Sequence, residues 1–188
     1  MGLPMEQLPF YGTRYAIEDL EAFRQAMQDE QLWLYGESYG TQYAQTYAAA
    51  YPERLAGLIL DGTVDLTLTG PEYYEGQAQA FHDVLVESLN ACTADEACAA
   101  DLGGDALAFY DDLSAEIAAS PVMVNFPLPS GGTAVRPFTF SDLEYVVASE
   151  LYSEGTRLLL LRALAAAQRG DMVPLTRLLL IDLALDPE

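Results

Sequence analysis

The stretch Gln31–Gly62, QLWLYGESYGTQYAQTYAAAYPERLAGLILDG, decides the fold. Its short apolar run LWLY (32–35) stops at a glycine and suits a fully buried strand. After Ser38 comes YGTQYAQTYAAAY, rich in alanine and ending before Pro52, as a helix does. LAGLILDG then reads as a second buried strand, closed by the turn dipeptide Asp61-Gly62. Upstream, RYAIEDLEAFRQAMQ carries Ile17, Leu20, Phe23 and Met27 at helical spacing. Helix, strand, helix, strand is the order of a parallel sheet with crossover helices.

At the centre of the stretch, Gly36-Glu37-Ser38-Tyr39-Gly40 has the form G-x-S-x-G. The pattern is common by chance, but a strand before it and a helix after it are the context it requires. There Ser38 sits on a sharp strand-to-helix turn with strained dihedrals. Side chains at Gly36 and Gly40 are expected to collide with neighbouring backbone. The turn pushes the hydroxyl out of the sheet, and the helix N-terminus points its dipole at the site. The backbone N–H of Tyr39 is the candidate oxyanion donor. The competing reading is a serine N-cap in an ordinary strand-to-helix turn.

From about Gly70-Pro71 to residue 120 the texture becomes helical. Phe81, Val84, Leu85, Ser88 and Leu89 mark one apolar stripe; Leu107, Tyr110, Leu113 and Ile117 mark another. PVMVNFPLPSGGTAVRPFTF predicts a loose hairpin around Ser130-Gly131-Gly132, its prolines at edge positions. SDLE (141–144) reads as a capping box. Two more helical stretches follow, punctuated by Gly170 and Pro174.

Several of these segments together resemble the α/β-hydrolase fold, and more narrowly the secreted tripeptidyl aminopeptidase and proline iminopeptidase-like hydrolases. The elbow Gly36–Thr41, the helix end Tyr51–Arg54 and the strand end Leu60–Gly62 carry the likeness. The second half is similar to that family's helical cap, with a paired-cysteine loop, then LY and the helix ALAAAQRGD. The resemblance implies an α/β class: a partial α/β-hydrolase core at residues 1–66 and a mostly helical cap, or lid, at 67–188. It implies a serine hydrolase of esterase or aminopeptidase type, in truncated or minimal form. Ser38 would attack the carbonyl of a small ester or peptide. In the family pattern a His-Gly-Gly loop precedes the elbow, and the catalytic Asp and His follow the cap. This chain has no His-Gly-Gly and no histidine after position 82. The alternative is a catalytically inactive fragment that binds a ligand or partner.

A neutral serine hydroxyl needs a base. Lysine is absent, and His82 is the sole imidazole. It falls in AFHDVLVESL beside Asp83, but sequence neighbours on a helix face different ways, so Asp83 is a poor orienting partner. His82 is therefore a candidate base, within the chain or across a dimer, weighed against an exposed cap histidine. Asp61, ending a strand at the catalytic edge, could orient a histidine or simply cap the next loop. Glu37 packs or lines the substrate pocket. Glu72, Glu75 and Glu150 are cap carboxylates that, on the resemblance, could meet a substrate amine.

The net charge of −21, from 29 acidic residues against eight arginines, argues against nucleic acid as a partner. No apolar run approaches the roughly 18–20 residues of a membrane span. The start MGLPMEQLPFYG lacks a basic and an apolar signal region, so no signal peptide is expected there. Five residues separate Cys92 from Cys98, enough to close a small disulfide loop; two reduced thiols in a helix hairpin are the other reading. Two cysteines without histidines make a poor zinc site, and no cofactor or metal pattern is present. A disulfide, together with the resemblance, suggests a secreted or cell-envelope protein. Two parallel strands leave edges in need of partners. The expectation is a homo-oligomer or segment-exchanged dimer, or a sheet completed by the C-terminal RLLLIDLAL.

Overall fold

A computed structural model describes residues 4–183. The chain divides into two compact units, Met1–Tyr73 and Tyr74–Glu188.

In the first unit a 3-10 segment, Met5–Tyr11, leads into helix α1 (Thr13–Met27). Strand β1 (Leu32–Glu37), helix α2 (Tyr39–Ala50) and strand β2 (Leu55–Asp61) follow. The two strands pair in parallel, with Tyr35 opposite Ile59 and Glu37 opposite Asp61. This is the helix, strand, helix, strand order that the sequence predicts. The strands, however, are not fully buried. Alternate residues of a strand point to opposite faces, and α2 packs on one face only. Trp33 (72% exposed), Tyr35 and Ile59 stand on the other. Trp33 lies across the neighbouring strand, where a Cβ on Gly57 would meet its ring at 2.1 Å. A side chain at position 57 would displace the indole from this position.

Helix α1 also departs from its expected stripe. It buries Ile17, Glu21 and Arg24, while Phe23 and Met27 are exposed. The reason is a buried polar knot. Arg24 Nη2 and Nε donate to the Glu21 carboxylate at 2.7 and 2.9 Å. Gln25 donates to the same carboxylate at 2.9 Å. The hydroxyl of Tyr47, fully buried on α2, donates to it at 2.8 Å. Arg24 Nη1 also donates to the carbonyl of Asp29, fastening the turn into β1. Apolar periodicity cannot foresee a helix face that buries a satisfied ion pair.

These bonds hold the Glu21 carboxyl down to about 2 from an ordinary 4.5, the Arg24 hydrogen bond first. Burial, then the bond to Glu21, pushes the Tyr47 phenol up to about 12. A depressed carboxyl contributes its full stability above its ordinary value and loses it as pH falls toward the folded value. The urea midpoint, followed by circular dichroism, is therefore expected to fall between pH 4.5 and about 2. In Glu21→Gln that part of the decline should flatten; an unchanged slope would refute the assignment.

The second unit is built mainly from helices. Helix α3 (Gly70–Ala94), whose first turn belongs to the first unit, is followed by α4 (Glu96–Asp101) and α5 (Ala106–Ala119). Strands β3 (Val122–Pro127) and β4 (Thr133–Phe138) then form the expected antiparallel hairpin. Positive φ at Gly131 (94°) and Gly132 (82°) turns the chain between them. Helices α6 (Phe140–Glu150), α7 (Glu154–Gln168) and α8 (Val173–Asp182) complete the unit. Leu85, Leu89, Ile117, Phe138, Leu143, Val146 and Leu164 lie in one apolar core.

Cys92 and Cys98 are joined as a disulfide across the α3–α4 corner, where Asp95 caps α4 by accepting from the N–H of Cys98 at 2.8 Å. The capping box of α6 lies two residues earlier than SDLE suggests. The Thr139 hydroxyl accepts from Asp142 N–H, and the Asp142 carboxylate accepts from Thr139 N–H at 2.7 Å. Ser141 is already inside the first turn. The C-terminal RLLLIDLAL does not complete the sheet. Through Asp182 it is the helix α8, which packs its leucines against α6 and α7 and carries Pro174 in its first turn, where proline is tolerated. Ala184 and Leu185 lie outside the described residues.

Candidate active site

The end of β1, the start of α2 and the end of β2 converge on Ser38. The serine has φ 50° and ψ −120°, a conformation that non-glycine residues adopt only under constraint. Its N–H donates to the Asp61 carbonyl at 2.8 Å, so the strand ladder continues through the turn. Its carbonyl accepts from Thr41 N–H at 3.0 Å and from the Thr41 hydroxyl at 2.7 Å. The Ser38 side chain makes no capping bond to α2, and the residue is exposed. An ordinary serine N-cap would spend its hydroxyl on a helix N–H; here the hydroxyl is left available.

The glycine at 36 is a steric requirement. A Cβ there would lie 2.5 Å from the Gly40 carbonyl oxygen and 2.8 Å from its carbon, both backbone atoms. Gly40 is a correction to the expectation above, because a Cβ on it would meet nothing within 4 Å. The crowding is one-sided: Gly36 faces the first turn of α2, whereas the Cβ direction of Gly40 points into space.

Tyr39 is the first residue of α2, at a helix start whose early N–H groups have no intrahelical acceptor. Its ring is exposed and meets Tyr43 edge-on at 5.0 Å. Glu37 and Asp61, opposite each other in register, place two carboxylates at the strand ends beside Ser38. Asp61 Oδ2 accepts from the Tyr35 hydroxyl at 3.0 Å. That bond is the first cause of an upward shift of the Tyr35 phenol, followed by burial and by the charges of Asp61 and Glu37.

His82 lies in the second unit, on an exposed face of α3. Its neighbour Asp83 accepts from Gln79 at 2.7 Å, one turn earlier on the same helix. Ser38, Tyr39, Glu37 and Asp61 are thus brought together within one unit, and His82 belongs to the other. Of the remaining carboxylates, Glu72 caps the start of α3 by accepting from Thr69 N–H and hydroxyl at 2.8 and 2.7 Å, which lowers its pKa. Glu75 is exposed. Glu150 is buried on α6, its carboxyl raised first by burial and then by the charge of Asp182.

Residues 4–100 match the family described as alpha/beta hydrolase fold. The chain belongs to the alpha/beta hydrolase fold family. Within this hydrolase family, the chain is similar to Serine protease Hip1 of Mycobacterium tuberculosis (strain ATCC 25618 / H37Rv). The two are 36% identical over 98 residues, which are 52% of this chain and 18% of that protein. The protein of the same name from Mycobacterium bovis gives the same figures. YuaR of Escherichia coli (strain K12) is 39% identical over 61 residues, 32% of this chain and 12% of its own. The matched part is therefore less than a fifth of the length of each of these relatives.

Three residues that shape the site were not apparent from the motif. Thr41 is fully buried, and its hydroxyl accepts from Val64 N–H at 2.9 Å while donating to Ser38. Gln45, one turn on, donates to the Val64 carbonyl at 2.9 Å. Together they clamp the segment after β2 to α2. Tyr35 reaches Asp61 because alternate strand residues share a face: Tyr35 and Glu37 lie on the same side, opposite Ile59 and Asp61. That signal was present in the sequence once the parallel register was assumed.

Proposed function

We propose that this chain is a serine hydrolase whose nucleophile is Ser38, with the N–H of Tyr39 as an oxyanion donor. One observation carries the reading: Ser38 is held in a strained conformation between β1 and α2, with its hydroxyl free of capping duty. The constraint costs stability, of order 1–3 kcal/mol for such a residue. Aiming a nucleophile is a role that would keep it. Asp61, at the end of β2, is the carboxylate to orient a base near Ser38, and Glu37 stands opposite it in register. His82 is the base candidate within this chain. The substrate class is a small ester or peptide, and the name of the mycobacterial relative, a serine protease, supports the peptide. The paired cysteines and the cap-like helices favour the tripeptidyl aminopeptidase and proline iminopeptidase-like branch. Activated esters are the better first substrates, because their leaving groups need less help from a general acid.

The test is hydrolysis of p-nitrophenyl acetate and butyrate by the wild type, Ser38→Ala and His82→Ala. The wild type is expected to exceed Ser38→Ala, which should fall to the uncatalysed rate. A comparable loss in His82→Ala assigns the base, and retained activity in it removes that role from His82. A wild type no faster than Ser38→Ala overturns the reading.

A further inference from the structure

The second unit has a cavity of its own. Helices α3, α5 and α6 border an open cleft of about 320 Å³. The size lies at the lower end of small-molecule sites, which are apolar clefts with few polar groups. Phe81, Leu85, Tyr110, Phe140 and Val147 line it, so three of these five side chains are aromatic. The polar groups are at the rim. Glu144 and His82 are both exposed there, and Ser114 on α5 is half-buried.

The charge at this cavity has one sign. Glu144 belongs to the lining, and its charge and that of Asp111 both act on the Tyr110 hydroxyl. Burial first, then these two carboxylates, pushes the Tyr110 phenol up to about 12, so it remains a neutral donor. Among the described residues no lysine or arginine lines the cavity. An anion would meet Glu144 without a compensating cation. A neutral apolar molecule would fill the floor and leave the carboxylate unused. An ammonium group suits both features, since aromatic faces and a carboxylate each attract it.

The geometry points to a binding site in the helical unit for a small organic ammonium, its aromatic or aliphatic body on Leu85 and Val147 and its cationic head beside Glu144. The site lies within the second unit and gives His82 a place at its rim. It does not depend on the chain being a hydrolase.

The probe is 2-phenylethylammonium, with 2-phenylethanol and 3-phenylpropionate as controls. The readout is the imidazole signal of His82, the chain's one histidine, by NMR. The pH is held well above the usual imidazole range of about 6.5, so that titration does not mimic binding. The expected result is a saturable shift with the amine, a weaker one with the alcohol and none with the carboxylate. Glu144→Gln, a surface change that leaves the core intact, should weaken the amine about fivefold to tenfold without altering the alcohol. Val147→Trp, which fills the floor, should abolish the shift while circular dichroism stays unchanged. Should Val147→Trp fail to fold, Glu144→Gln decides alone. No saturable shift with the amine, equal binding of amine and alcohol, or an amine affinity untouched by Glu144→Gln would each overturn the proposal.

Discussion

Gly36→Ala is expected to lower the unfolding free energy by about 3 kcal/mol, the upper range for an overpacked site. The added methyl would sit 2.5 Å from the Gly40 carbonyl oxygen and 3.0 Å from the Thr41 Cα. Both are backbone atoms, so no rotamer change relieves the contact. The strand end and the helix start would have to separate, which also displaces Ser38. Gly40→Ala is the matched control, since nothing lies within 4 Å of its Cβ and the residue is helical. There the change should be neutral or stabilising by up to about 1 kcal/mol, the helix preference of alanine over glycine. Urea denaturation of the two variants beside the wild type checks both. Equal destabilisation would show that the motif's two glycines act alike and that the one-sided crowding is wrong.

The second large effect is expected at Thr41. Thr41→Val keeps the shape closely but removes a hydroxyl that bridges the Ser38 carbonyl and Val64 N–H. The carbonyl keeps a bond from Thr41 N–H, whereas the Val64 amide loses its acceptor. A donor left unsatisfied in this way costs about 2 kcal/mol. The clamp between α2 and the segment after β2 loosens next to Ser38, so ester hydrolysis should fall as well. Thr41→Ser restores the hydroxyl and should recover most of both losses. Urea midpoints and p-nitrophenyl butyrate rates separate the cases. If Thr41→Ser is as poor as Thr41→Val, the methyl group rather than the hydroxyl carries the effect.

The strand and helix order around Ser38 was legible because each segment changes period at a glycine or proline. Gly36 was legible as a steric necessity because the strand-to-helix turn brings two backbones together. What could not be read follows from what periodicity omits. Hydrophobic spacing placed Phe23 and Met27 inward, but the face of α1 that packs is fixed by Glu21, Arg24 and Tyr47 satisfying one another. The apolar runs LWLY and LAGLIL suggested burial on both faces, yet burial depends on which helices cover the sheet, and α2 covers one side. RLLLIDLAL suits a strand or a helix equally by composition; the leucines of α8 are buried against helices, and that packing decides. In the site, Ser38, Tyr39, Glu37 and Asp61 were readable from the motif and the strand end. Thr41 and Tyr35 needed three-dimensional register. The position of His82 on α3 was readable, but not its share in an aromatic cavity, which requires three helices to meet.

The indole of Trp33 has a use of its own. It is the chain's only tryptophan, it lies within Met1–Tyr73, and it rests over Gly57 on the face that α2 leaves uncovered. Being 72% exposed, it emits as a solvated fluorophore in the folded chain. Anything that settles on that face dries the ring and moves its emission to shorter wavelength. The sheet therefore carries its own optical label, and its occupancy can be followed without attaching a dye.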